Sequence, residues 1–296
     1  MAAEPLIHWP DPAFELVGFV AGFLAAGAVG FRFTALRAAE GAAQPAERPA
    51  LKQAAAVAAQ IGIVGVLIAA GLFVQRLPGM AAQKHLTVAA LIMGDPKLLT
   101  TIAFVAANLL GFVFARARVA AGWWVSLLCV LIGPVREVFF GGPLDELVNS
   151  LHRLAGGLWI GTLFVLVTAG LRPLLASALP AERRAALAKT MVDAFSPLAL
   201  GGFALLGIMG VITAWTNLKK LDALWTTPFG SALIVKLVIV AGVVTLGAVN
   251  WKKQQPKMGT LKGAQMLRRS AELELWFATA VLLVTSILVS LPGPGE

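Results

Sequence analysis

Tyrosine is absent from this 296-residue chain, cysteine occurs once and histidine three times. Charged residues make up 13% of it, where a soluble domain carries about a quarter. The lone thiol, Cys129, excludes an internal disulfide and is expected to pack as a small hydrophobe. The chain has no P-loop, no Gly-x-Ser-x-Gly elbow and no His-Glu-x-x-His pair. Nucleotide-driven pumping and ordinary hydrolytic chemistry therefore have no residues to run on, and no enzyme is expected. Acidic residues are few, and Glu137, Asp145 and Glu146 are scattered without the ligand spacing of a calcium loop.

Apolar residues fill the space, at 58% of the chain. Runs near or above 18 apolar residues recur along its length and read as membrane spans. Eight are expected, at about 14–35, 53–74, 98–115, 119–140, 151–171, 192–215, 229–250 and 271–291. Only Arg116, Ala117 and Arg118 separate the third from the fourth. Continuous runs of this length satisfy their backbone in lipid as helices. An outer-membrane barrel needs alternating strands of about ten residues instead. The expected fold is all-α: a polytopic bundle of about eight transmembrane helices with no room for a separate soluble domain. It divides into an N-terminal half of four spans, 1–149, and a C-terminal half of four, 150–296. No internal repeat supports an inverted-repeat transporter.

Lysine and arginine orient the bundle. Loops after the odd-numbered spans hold Arg32, Arg37, Arg48, Lys52, Arg116, Arg118, Arg172, Arg183, Arg184 and Lys189. After the seventh span come Lys252, Lys253, Lys257, Lys262, Arg268 and Arg269. These sixteen face six on the other side: Arg76, Lys84, Lys97, Arg136, Lys219 and Lys220. Arg153 and Lys236 fall within spans. The asymmetry places the odd loops in the cytoplasm and both termini outside. The segment before the first span lacks Lys and Arg, unlike a secretory signal peptide, so that span is expected to be retained. The net charge of +9 then belongs to cytoplasmic loops facing anionic lipid, not to nucleic-acid binding.

In this threading His8, His85 and His152 share the outer side. His8 lies in the exported tail and His152 opens the fifth span. His85 lies in the longest outer loop, about 75–97, together with Met80 and Met93. The stretch 85–94 of that loop is expected to form a short interfacial helix. Imidazole and thioether together suit copper: sulfur favours Cu(I), and nitrogen accepts both oxidation states. Each residue also has a plain reading. A tail histidine is solvated, a loop histidine sits at the interface, and methionines pack. His152 is the most suggestive, because an ionisable group in a span is functional by default. No His-x-His or His-x₃-His pair exists, so a site must be assembled from distant segments.

Six blocks carry a resemblance. From Leu151 the chain reads Leu-His-Arg-Leu-Ala-Gly-Gly-Leu-Trp-Ile-Gly-Thr-Leu. It continues with Phe195-Ser-Pro-Leu-Ala-Leu, then Gly207-Ile-Met-Gly-Val-Ile-Thr-Ala-Trp215. Thr227-Pro-Phe-Gly-Ser-Ala-Leu-Ile-Val-Lys236-Leu, Gly247-Ala-Val-Asn250 and Leu267-Arg-Arg-Ser-Ala-Glu-Leu-Glu-Leu275 follow. In order and spacing this resembles the CopD/PcoD copper-resistance family of inner-membrane proteins, strongly over about 150–291 and loosely over 1–149. The family pattern often has Tyr where this chain has Phe229. The resemblance implies copper handling, usually import from the periplasm beside a periplasmic chaperone of the CopC type. Relatives also occur fused to, or encoded near, oxidase-assembly factors.

The expected protein is a copper-handling, multi-pass inner-membrane protein. It receives copper at the periplasmic face and imports it or delivers it for cuproenzyme assembly. His152 and His85 lead as metal contacts, His8 follows, and Met80 and Met93 are softer candidates. Copper ion, membrane lipid and a CopC-type chaperone are the expected partners, and the copper oxidation state stays open. Trp159, about two turns beyond His152, is read as packing. Lys236, about 10 Å inside the seventh span, is read as an interfacial anchor whose charge argues against a ligand role. Met209 is either packing or an inward continuation of a copper path. Glu272 or Glu274 is expected to pair with an arginine at the cytoplasmic end, with an exit site as the alternative there. Two rival functions remain: a haem-bearing membrane cytochrome, which needs two axial ligands, and a non-catalytic subunit or scaffold of a larger complex.

Overall fold

A computed structural model describes residues 9–139, 143–250, 252 and 259–291. Every regular element among them is helical. α1 runs over Asp11–Ala42, with a π-helical turn at Arg32–Leu36, and α2 over Arg48–Gln83. The short α3, Val88–Gly94, precedes α4, Pro96–Arg116, and α5, Ala120–Phe139. α6 begins as Leu144–Gly156, passes through π-helical turns at Gly157–Gly161 and Leu166–Leu171, and closes with Arg172–Ala176. α7 spans Ala181–Leu218, the single-turn α8 Ala223–Thr226, α9 Pro228–Val249 and α10 Leu261–Leu288.

Seven of these helices are long and apolar enough to cross a membrane: α1, α2, α4, α6, α7, α9 and α10. The eighth expected span forms α5. Its apolar part among the described residues, Ala120–Gly133, is shorter than a span. The separation of the third and fourth runs at Arg116–Arg118 is real. Arg118 adopts φ 68°, and the Val119 amide donates to the Phe114 carbonyl, closing α4 in a left-handed turn. The short helix foreseen over 85–94 is α3, capped by the Thr87 hydroxyl.

α6 is the central helix, with 67% of its apolar window buried, against 11% for α7 and for α9. The reason lies in its small residues. A methyl group added at Gly27 of α1 would lie 2.2 Å from the Gly161 backbone of α6, so the two backbones touch. In lipid, where hydrophobicity does not drive helices together, such close approach supplies the packing energy. Gly111 and Gly122 join α4 to α5 in the same way. Phe31, Leu36, Phe112, Leu166, Leu171 and Met191 fill the buried core around α1 and α6. Large apolar side chains on the peripheral helices, such as Trp215, Trp225 and Trp276, face outward.

One end of the bundle is held by ion pairs, and it is the end rich in Lys and Arg. Arg183 of α7 grips Glu47, just before α2, with two hydrogen bonds of 2.7 and 2.8 Å, and also donates to the Ala42 carbonyl. Arg172 meets Glu272 at 2.9 Å. At the opposite end, Arg76 of α2 meets Glu15 of α1 at 3.0 Å. The ends of α1, α2, α6, α7 and α10 therefore fall where the threading puts them.

Candidate functional site

His152 sits on the last two turns of the first stretch of α6 and looks at α7. A methyl group at Gly210 would lie 3.4 Å from its Cε1 and 3.8 Å from its Nδ1, so glycine makes room for the ring. The Leu206 backbone, one turn away on α7, lies beside the imidazole. One turn toward the helix start, the Thr213 hydroxyl donates to Asn149 Oδ1 at 3.2 Å. Asn149 and His152 are three apart on α6; Leu206, Gly210 and Thr213 follow helical spacing on α7. Together they form a polar seam between the two helices. Within it, His152 Nδ1 is buried and has no hydrogen-bond partner. A buried polar atom without a partner is costly, and a bound ion would satisfy it. Lys236 of α9 lies near enough to interact electrostatically with the ring.

The other sequence candidates lie elsewhere. His85 is exposed in the turn that ends α2. It takes φ 53°, its amide donates to Ala82 and the Leu86 amide reaches back to Ala81 at 2.9 Å. This is a helix stop of the kind that favours glycine. Met80 is half-buried against the patch of Leu77, Ala81, Leu91 and Leu98, while Met93 on α3 is 79% exposed. α3 packs on α2 and α4, whereas the His152 stretch packs on α7, α5 and α1. His85, Met80 and Met93 thus gather around α3, and His152 belongs to the α6–α7 seam. His8 lies outside the described residues. Among the described residues no group of three or more His, Cys, Asp or Glu is placed to hold a metal ion.

Toward the basic end, α6, α7, α9 and α10 enclose a cavity of about 560 Å³. Trp159, two turns beyond His152, packs its Cβ against Gly202 and its ring edge-on to Phe203 with centroids 5.5 Å apart, and it lines this cavity. Its polar lining is Asp193, Ser196, Asn250 and Glu274. Glu274 accepts from the Asn250 amide, and Ser270 donates to Asn250 Oδ1 at 2.5 Å. Glu272, not Glu274, is the acid that pairs with arginine, taking Arg172 at 2.9 Å and Arg268 at 3.4 Å. Asp193 is paired with Lys189 one turn earlier. The Asn149–Thr213 bridge was not foreseen, because an isolated Asn and Thr in spans carry no signal until their helices meet.

Residues 189–288 match the family model described as copper resistance protein D, CopD. The matched segment takes in most of α7 and all of α9 and α10, so the resemblance seen over 150–291 holds there. The chain is also similar to the copper transport protein CutJ of Bacillus subtilis (strain 168), at 26% identity over 185 residues. That alignment covers 59% of this chain and 32% of the relative, so it spans about a third of the relative's length. No solved structure matches. With the seven apolar helices, the family match describes a multi-pass protein of the bacterial inner membrane.

Proposed function

We propose that this protein handles copper in the membrane: it receives the ion at the outer face and imports it or delivers it for cuproenzyme assembly. A periplasmic chaperone of the CopC type is its proposed donor. The observation that carries the reading is His152 Nδ1, a buried imidazole nitrogen without a partner, in a chain similar to copper resistance and copper transport proteins. Imidazole binds Cu(I) and Cu(II) alike. Gly210 leaves space beside the ring, and the cavity below Trp159 offers a carboxylate and an amide toward the basic end. His85, Met80, Met93 and His8 act in this reading as capture groups at the outer surface, ahead of His152. The haem reading is weaker, since His85 stands on an exposed turn and leaves His152 without a second axial ligand in a described span.

Copper binding to the purified protein, under oxidising and reducing conditions, tests the reading. His152→Ala is expected to weaken binding at least about tenfold, a loss of about 1.4 kcal/mol. His152→Gln, which keeps a polar side chain in the seam, is expected to do the same. Equal binding by wild type and both variants would remove His152 from the site. A haem absorbance band in place of copper would replace the proposal with the cytochrome reading.

A further inference from the structure

The cavity of about 560 Å³ between α6, α7, α9 and α10 has two unlike ends and an open side. Its α6 wall runs from Trp159 to Leu171, about 18 Å of helix at about 1.5 Å per residue. Away from the basic end the lining is apolar and aromatic, with Trp159 and Leu163 of α6 and Phe203 of α7. Toward the basic end come Ser196 of α7, Asn250 of α9 and Glu274 of α10, beside the Lys189-paired Asp193. The wall between α7 and α9 is incomplete. Among the described residues α9 packs along α10 and α8 and has no extended contact with α7. The two helices are joined at their outer ends, where Leu218, Phe229, Leu233 and Leu288 cluster. Leu200 of α7, 70% exposed, and Ala248 of α9, also exposed, both line the cavity. A methyl group added at Gly247, in the same lining, would meet nothing within 4 Å. Both helices read as spans, so the gap opens sideways into the bilayer. Ligand pockets run from about 300 to 1,000 Å³, so the space is ample for a bound group.

The polar end is rich in acceptors. Glu274, 9% exposed, takes the Asn250 amide on one oxygen, and its second oxygen has no partner among the described residues. Ser270 donates to the Asn250 oxygen and so fixes which way that amide points. The Ser196 hydroxyl gives its proton to the Val192 carbonyl at 2.9 Å, which leaves its own oxygen as an acceptor. The Asn250 nitrogen carries a second N–H. A buried acceptor without a donor is costly. The set holds neither sulfur nor imidazole, the groups that suit copper, and His152 does not line the cavity. A carboxylate or phosphodiester group has no proton to give to either oxygen. An uncharged hydroxyl gives one to Glu274 or Ser196 and accepts one from Asn250. We infer that this cavity holds a neutral lipid with a hydroxyl head, taken in sideways between α7 and α9. Its hydroxyl lies at Glu274 and Asn250, and its apolar chain runs along Trp159 and Phe203. That chemistry is shared by a diacylglycerol and a membrane quinol.

Native mass spectrometry of the full-length protein in detergent tests this, with dioleoylglycerol, a decyl-chain ubiquinol kept anaerobic, and the methyl ether of each as probes. At least one of the two free hydroxyl lipids is expected to be retained about tenfold more tightly than its ether, which is about 1.4 kcal/mol. Which of the two is held identifies the source. Gly247→Leu fills the lining and is expected to cut that retention about tenfold. Gly201→Leu, on α7 outside the lining and also with nothing within 4 Å of an added methyl, is expected to leave it. Glu274→Gln keeps an acceptor oxygen and is expected to hold the lipid within about threefold of wild type, whereas Glu274→Ala loses the preference for hydroxyl over ether. Should Gly247→Leu fail to fold, the two Glu274 variants decide. Equal retention of hydroxyl and ether for both lipids, an equal effect of the two glycine variants, or an unchanged preference in Glu274→Ala would overturn the assignment. So would displacement of the lipid by glycerol at equal concentration, which would mean that the hydroxyl alone is read. Copper is absent throughout, so the result is independent of the function proposed above.

Discussion

Two cavities of nearly equal volume, about 550 and 560 Å³, lie on either side of α6 and have opposite chemistry. The first, toward the end away from the basic rim, is lined among the described residues by three arginines and one glutamate. The second, toward the basic rim, is lined by Asp193 and Glu274 and, among the described residues, by no lysine or arginine. In the second, Asp193 is offset by Lys189, and Glu274 meets only the Asn250 amide among the described residues. Glu274, an acid without a cationic partner among the described residues, lies on the α6–α7–α9–α10 side, where the family match also falls. Similar space inside one bundle does not imply similar use; the charge of the few polar side chains decides it.

Beside both cavities, α1 and α6 meet backbone to backbone at Gly27 and Gly161. Gly161→Leu places carbon where a methyl group would already be 2.1 Å from the Phe23 carbonyl oxygen. Overpacking costs about 1–3 kcal/mol, and more where the obstacle is backbone. The largest expected effect is therefore loss of monodisperse protein on size exclusion, and wild-type behaviour would break the comparison at its root. Within the second cavity, Glu274→Ala strips Asn250 of its acceptor and is expected to cost about 1–3 kcal/mol in chemical unfolding. Glu274→Gln keeps an acceptor oxygen and should recover most of that loss. If Ala and Gln behave alike, the Asn250 bond is not what holds this acid in place.

Smaller effects sharpen the comparison at the two rims. Arg172→Gln removes a partly exposed pair with Glu272 and is expected to change stability by about 0–1 kcal/mol, less at high salt. A larger loss would show that the basic rim, not the core, holds α6 to α10. Met93→Ala removes a side chain that stands in solvent or lipid and is expected to shift the melting free energy by no more than about 0.5 kcal/mol. A clear fall in copper binding with that small change in stability would assign Met93 to capture. No change in either would leave it a surface methionine.

Particular residues show how far sequence reasoning reaches. Arg116–Arg118 was legible as a turn between two apolar runs, and the chain does turn there. The stretch 85–94 was legible as a short helix, though His85 itself became the left-handed residue ending α2. Trp159 was legible as packing, because its spacing from His152 puts both on one side of α6. Glu272 or Glu274 was expected beside an arginine; Glu272 takes that place, and Glu274 stands beside Asn250. Which of two acids two residues apart meets a neighbour depends on how α10 is rotated against α6 and α9.

The sequence by itself determined the solvent of this protein, its helical class and most of its spans. Run length, the cost of unsatisfied backbone in lipid and the distribution of Lys and Arg act locally and survive any packing. It also determined the family resemblance, through ordered blocks in the C-terminal half. Only the tertiary structure decided that His152 faces Gly210, and that His85, Met80 and Met93 gather at α3. It alone brought Arg76, Arg136 and Arg153 from three helices into one cavity. Those outcomes depend on which faces meet, and that is set by glycine contacts such as Gly27 with Gly161, between residues more than a hundred positions apart in the chain.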